Sequence, residues 1–180
     1  MEQTVNPWKT NLSNGLILAL VGIVYSLVMY FLDLTFNPIQ GYVFMVIQVA
    51  LLFFLLKSYR DNYMHGQITY GQAVGAGVII CLYYAVIMAV FTYILYAVID
   101  PGLVGKQLAF AEEAMVKKGV PQAAIDAGMN IQAKMMKPAI MAPISIFGNM
   151  LWGVILTLLV SIFIKKEGNP LLDTFENKFE

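Results

Sequence analysis

Charged side chains are scarce in this sequence. Eleven Lys and Arg and eleven Asp and Glu make up 12% of its 180 residues, against roughly 25% in an average soluble domain. Hydrophobic residues reach 59%, and the mean hydropathy is +0.72. Because a surface that faces water needs charges, this composition predicts that lipid covers most of the protein. Net charge is zero, and the absence of a basic stripe argues against nucleic acid as a partner.

Cysteine and histidine are almost missing, since Cys81 and His65 are the single residues of their types. One cysteine forms neither an intrachain disulfide nor a cysteine-based metal site. One histidine beside Asp61 provides neither a catalytic triad nor a zinc site. The sequence also lacks a phosphate-binding loop and a dinucleotide fingerprint. We therefore expect no catalytic residue, no cofactor and no metal ligand, and we predict that the protein is not an enzyme.

Four stretches contain no Asp, Glu, Lys, Arg or His and are long enough to cross a membrane, which takes about 20 helical residues. They are Gly15–Leu32, Ile39–Leu56, Tyr70–Ile99 and Ala139–Ile164. Lipid offers no partner for unpaired backbone groups, so these stretches are expected to be helices. The sequence therefore predicts a single membrane domain over 1–180, an all-α, four-span transmembrane helical bundle.

Several of these stretches begin with recognisable helix signals. The residue before a proline avoids the α region, so Asn37-Pro38 is expected to separate the first two spans. Thr69 and Gln72 have the Thr-x-x-Gln spacing of a capping box. Pro138 suits the first turn of the fourth helix, and Pro143 is expected to kink it.

The basic residues indicate an orientation, because connections rich in Lys and Arg stay in the cytoplasm. The basic residues that flank one side of the predicted spans are Lys9, Lys57, Arg60, Lys165 and Lys166. The opposite loop around Asp33 has none. Both termini and the 57–69 loop are therefore predicted to be cytoplasmic. The 100–137 segment, which contains five lysines, is the objection to this orientation.

Residues 103–137 form the sizeable polar insert between spans three and four. Apolar residues recur at helical spacing on both sides of Gly119-Val120-Pro121, which predicts an extramembrane helical hairpin. Five of the eleven methionines fall between 115 and 141. Thioethers can bind Cu(I), but no His or Cys lies nearby, so we favour methionines that fill an irregular helix interface. Residues 168–180 are predicted to form a short amphipathic tail that contacts a protein partner.

Six polar residues are candidates for a site or a partner contact. They are Gln48, Arg60, Asp61, Asp33, Asp100 and Asn149. Gln48 and Asn149 lie inside spans, where polar groups hydrogen-bond between helices, or they line a permeation path. Asp33 and Asp100 end spans on the predicted outer side. They pair with Lys106 or Lys137, or they act as an acidic pair for a divalent cation or a cationic headgroup.

Two small-residue patterns open the third span, Gly71-x-x-x-Gly75 and Ala73-x-x-x-Gly77. Small residues let helix backbones approach closely in lipid, so both patterns predict helix contacts.

The absence of charged side chains from all four spans bears on the class of protein. Proton relays and ion-coupled carriers use ionisable groups within the membrane, so this class of transporter is disfavoured.

Short motifs around the 57–73 loop resemble a known family. They are Tyr59-Arg60-Asp61, Gly66, Ile68-Thr69-Tyr70-Gly71-Gln72-Ala73 and Ile99-Asp100-Pro101. They are similar to the uncharacterised bacterial inner-membrane family catalogued as domain of unknown function 4199, over most of residues 10–167. The resemblance implies a four-span protein of the bacterial inner membrane with a helical insert after the third span. It implies no activity, substrate or catalytic residue.

Three functions remain open at this point. The first is a non-enzymatic scaffold or accessory subunit that binds a membrane-protein partner or a second copy of itself. The second is an oligomeric channel or carrier for a neutral solute or lipid, with Gln48, Asn149 and the kinked fourth span along the path. The third is help to a lipid-linked sugar enzyme, with Lys57 and Arg60 near a phosphate.

Overall fold

The computed structural model describes residues 6–166, so the predicted tail at 168–180 lies outside the described residues. All of the named secondary-structure elements in the described residues are helices. The helices are α1 (Pro7–Phe31), α2 (Pro38–Tyr63), α3 (Tyr70–Ile94), α4 (Leu103–Lys117), α5 (Gln122–Met135) and α6 (Pro138–Ile164). Helix α3 continues directly into one π-helical turn, Leu95–Ile99. The predicted all-α bundle is confirmed.

The helix starts follow the local signals in the sequence. The Asn37 side chain accepts the backbone N–H of Ile39 at 2.9 Å where α2 begins. Thr69 and Gln72 form both bonds of the predicted capping box at the start of α3. One helix begins earlier than its apolar stretch: α1 starts at Pro7 and not at Gly15, because Asn6 caps it. Side-chain caps satisfy amides that a helix start leaves unpaired.

Among residues 6–166, four helices are long and apolar enough to cross a membrane: α1, α2, α3 with its π-helical turn, and α6. Helix α3 packs most extensively against α6 and then against α1, while α2 contacts α6 and α1 and, less extensively, α3. Fully buried side chains include Leu18, Leu52, Leu56, Ile80, Thr157 and Ser161. The interior is therefore dominated by apolar side chains, with a few hydroxyls among them.

Glycines set the closest helix contacts. A Cβ atom added at Gly15 would overlap Tyr83, and one added at Gly77 would overlap Thr157. At Gly153 the added atom would lie 2.7 Å from Cys81 Cβ. These contacts hold α3 against both α1 and α6 at a separation that larger residues do not permit.

The 103–137 insert contains two helices, α4 and α5, which contact each other. Gly119, with a φ of +71°, follows the end of α4 and adopts a conformation that favours glycine. Leu103 and Ile125 are the buried residues of the two helices. The hairpin arrangement of this insert and its place outside the membrane stay predictions.

Candidate functional site

Asp100 lies where α3 ends and the insert begins, and it joins three parts of the chain. Its Oδ1 accepts the backbone N–H of Gly102 at 3.0 Å. Its Oδ2 accepts the hydroxyl of Tyr30 at 3.3 Å and lies 3.5 Å from Lys106 Nζ. The carboxylate thus connects α1, the π-helical turn and α4. The pairing with Lys106 is one of the two that the sequence suggested.

Asp33 occupies a different environment in the loop after α1, where its φ is +59°. Within residues 6–166 it forms no ion pair. The described residues also contain no group of three or more His, Cys, Asp or Glu side chains arranged for a metal ion. Among the described residues, the hydrogen-bond and ion-pair partners of Asp100 do not include Asp33. A cation site formed by these two carboxylates stays a prediction.

Arg60 and Asp61 lie near the end of α2 and contact each other, with Arg60 Nε donating to Asp61 Oδ1 at 2.7 Å. Arg60 Nη1 also donates to the carbonyl of Ile164 at 3.2 Å, the last residue of α6. A cation is favourable at this position because the carbonyl end of a helix carries partial negative charge. Arg60 therefore serves the fold by tying α2 to the end of α6.

A short backbone pairing strengthens this end of the bundle. Ile68 and Lys166 form an isolated antiparallel bridge, with N–H to carbonyl distances of 2.9 and 3.0 Å. Together with Arg60, it fastens the loop between α2 and α3 to the end of α6.

The structure places Gln48 in the interior, 4% exposed, and leaves Asn149 half-buried. No hydrogen bond joins these two side chains in the part of the chain that the structure describes, and a permeation path past them stays a prediction.

Two further buried polar residues, Asn11 and Asn14, were not predicted from the sequence. Asn14 donates to Asn11 Oδ1 at 3.1 Å, and Asn11 donates to the Pro7 carbonyl at 3.0 Å. The cap at Asn6 is the signal that would have included both in α1.

The two small-residue patterns of α3 serve different surfaces. Ala73 is fully buried, and Gly77 is in close contact with Thr157 of α6. Gly71 and Gly75 are exposed, and a Cβ atom added at either would meet nothing within 4 Å. Of the two predicted helix contacts, the described chain forms the Ala73–Gly77 one and leaves the Gly71–Gly75 face open.

A cavity of about 400 Å³ lies among α4, α5 and the start of α6. Its walls are almost wholly apolar and include Met135, Met136 and Met141, three of the methionines that cluster in the sequence. Gly128 also lines it, and Gln107 contributes a side chain whose buried Oε1 has no hydrogen-bond partner among the described residues. The methionines therefore surround an open space instead of filling the interface completely.

Two lysines are close in the sequence to residues that line this cavity. Lys134 and Lys137 are exposed and bracket Met135 and Met136 in the sequence. Neither forms an ion pair with any residue between 6 and 166. Lys117, the last residue of α4, does form an ion pair, since its Nζ lies 2.6 Å from Glu113 Oε1. Lys117 therefore holds the pKa of the Glu113 carboxyl below its usual value.

Four long apolar helices around a largely apolar interior define a helical, multi-pass membrane protein. A family model described as "Protein of unknown function (DUF4199)" matches residues 13–166. The chain belongs to this family, which confirms the resemblance seen in its motifs. Neither the curated proteins nor the solved structures contain a match to the chain.

Proposed function

We propose that this protein is a non-enzymatic accessory subunit of a complex in the bacterial inner membrane. It binds an apolar helix, from a partner or from a second copy, along the outward face of α3. This function agrees with the close helix contacts of the bundle and with the absence of Asp, Glu, Lys, Arg and His from its four apolar stretches.

The observation that carries the proposal is the open pair Gly71 and Gly75. Gly15, Gly77 and Gly153 each sit where another side chain approaches closely, so these glycines are explained by packing within the chain. Gly71 and Gly75 have no such contact within the described chain. A shallow face at this spacing lets a second helix backbone approach closely in lipid.

The same face continues along α3 beyond the glycines. Val86 and Tyr93 are 44% and 45% exposed, and multiples of about 3.6 residues bring them to the side of Gly71 and Gly75. From Gly71 to Tyr93 the helix rises roughly 33 Å at 1.5 Å per residue. A partner helix can therefore follow this face across the whole hydrocarbon layer.

Replacing Gly75 with isoleucine tests the proposal. The branched side chain would separate the two helices, and we expect the affinity for the partner to fall at least tenfold, as for an overpacked contact. Native mass spectrometry of the protein, purified gently in lipid nanodiscs, would measure the fraction bound in a complex heavier than the 20.0 kDa chain.

Gly148→Ile is the matched control. Gly148 lies on α6, and a Cβ atom there also meets nothing within 4 Å, so this variant should keep the complex. The measured mass tells whether the bound helix comes from a second copy or from another protein. A wild-type chain that is always monomeric, or a Gly75→Ile variant that keeps its complex, would contradict the proposal.

A further inference from the structure

We infer that the cavity among α4, α5 and α6 binds an acyl chain of an anionic phospholipid, with its phosphate held by Lys134 and Lys137. This inference concerns a different surface from the α3 face and does not depend on partner binding.

The cavity has the size and lining that an acyl chain requires. Its volume of about 400 Å³ falls within the roughly 300–1,000 Å³ of ordinary ligand sites. Methionine and isoleucine side chains make up most of its wall, and it opens to the surface. Methionine is flexible, so a wall rich in it adapts to a chain that bends.

The cavity lies at the depth where a headgroup meets its acyl chains. Met141 and Ile144 line it from the opening turns of α6, a helix apolar enough to cross the membrane. Lys137 is the cap residue immediately before that helix. A lysine just outside a span lies at the level of the lipid phosphates, so the apolar wall begins where the acyl chains begin.

Charge selects an anionic lipid over a neutral one. Lys134 and Lys137 lie on either side of two cavity methionines, and both are exposed. No carboxylate pairs with them in residues 6–166. Each lysine near an anionic headgroup contributes about 1 kcal/mol of binding free energy. The two lysines thus complement a phosphate that carries a net negative charge.

The test is a titration of delipidated protein in detergent with phosphatidylglycerol and phosphatidylcholine, followed by native mass spectrometry. We expect one tightly bound phosphatidylglycerol. The double variant Lys134→Gln/Lys137→Gln should bind it about 30-fold more weakly, which corresponds to about 1 kcal/mol for each lysine, and should bind phosphatidylcholine as before. Glycerol phosphate, which lacks acyl chains, should not displace the lipid.

A second variant fills the cavity. Gly128 lines it, and a Cβ atom there would meet Met115 Cε at an ordinary 3.8 Å, so Gly128→Leu fits without a clash at its first atom. This variant should lose both lipids from the site. Its matched control is Gly148→Leu, on open surface of α6. The control for charge is Lys117→Gln/Lys118→Gln, at the far end of α4.

Three results would overturn the inference. In the first, Gly128→Leu keeps its lipid and has the same thermal midpoint as the wild type. In the second, both lysine double variants lose the same affinity for phosphatidylglycerol. In the third result, Cu(I) binds the delipidated protein and displaces phosphatidylglycerol, which would show that the cavity methionines are metal ligands. If Gly128→Leu does not fold, the two lysine variants decide the question alone.

Discussion

Gly77→Leu is expected to lower the free energy of unfolding by about 3 kcal/mol, at the upper end of the usual cost of overpacking. The first added carbon already overlaps Thr157, which is fully buried. Threonine is stiff about its first side-chain torsion, so α3 and α6 must separate to admit the leucine. Denaturation of the purified protein in mixed detergent micelles, followed by circular dichroism, measures the loss.

Gly75→Leu is the matched control, two positions away on the same helix. Within the single chain its side chain enters open space, so for the monomer, separated from any bound helix, we expect a change within about 0.5 kcal/mol, as at other unconstrained surface positions. Equal destabilisation by the two substitutions would show that the α3–α6 contact is not the close one described here.

Asp100→Ala is expected to cost about 2–3 kcal/mol and to loosen α4. The substitution removes the acceptor of the Gly102 amide and of the Tyr30 hydroxyl. Hydrogen bonds to a charged group contribute about 1.5–3 kcal/mol, whereas the exposed Lys106 adds less than about 1 kcal/mol. Hydrogen exchange of the α4 amides would report the loosening of this helix. Denaturation followed by circular dichroism, as for Gly77→Leu, would measure the loss of stability.

Asp100→Asn separates charge from hydrogen bonding at the same position. Asparagine keeps one oxygen, which can still accept the Gly102 amide, and its NH₂ group can donate to the Tyr30 hydroxyl instead of accepting from it. Since the attraction to the exposed Lys106 is weak, the cost of this substitution should be about 1 kcal/mol. If asparagine and alanine destabilise the protein equally, the ion pair and not the hydrogen bonds would hold the insert to the bundle.

Hydropathy and local capping predicted most of the fold. Each of the four apolar stretches corresponds to one of the long helices, and only Leu32 lies beyond the end of its helix. A helix is favoured in hydrocarbon because it satisfies all of its backbone hydrogen bonds within one segment. The capping box at Thr69 was predicted because both of its hydrogen bonds are local. Hydropathy does not mark the start of α1, because the helix begins after its cap at Asn6, which lies before the apolar residues.

The candidate sites depend on distant contacts and were less predictable. Nothing local to Arg60 shows that it reaches the carbonyl of Ile164, which lies 104 residues further along the chain. Likewise, Gly75 and Gly77 belong to equivalent sequence patterns, and only the packing of α6 on one face of α3 makes them differ. The methionine cluster was visible in the sequence, but the cavity it lines requires three helices to meet.

Helices α1, α2, α3 and α6 should each cross the membrane, which places successive loops on opposite sides of it. Labelling of single cysteines at Leu34, Gln67 and Lys118 measures this, in a background where the buried Cys81 is replaced by alanine. All three positions are exposed and lie between helices. With a membrane-impermeant thiol reagent on intact cells, we expect Leu34→Cys and Lys118→Cys to give the same result and Gln67→Cys to give the opposite one. If the reagent labels all three positions from the same side, the four helices do not each cross the membrane.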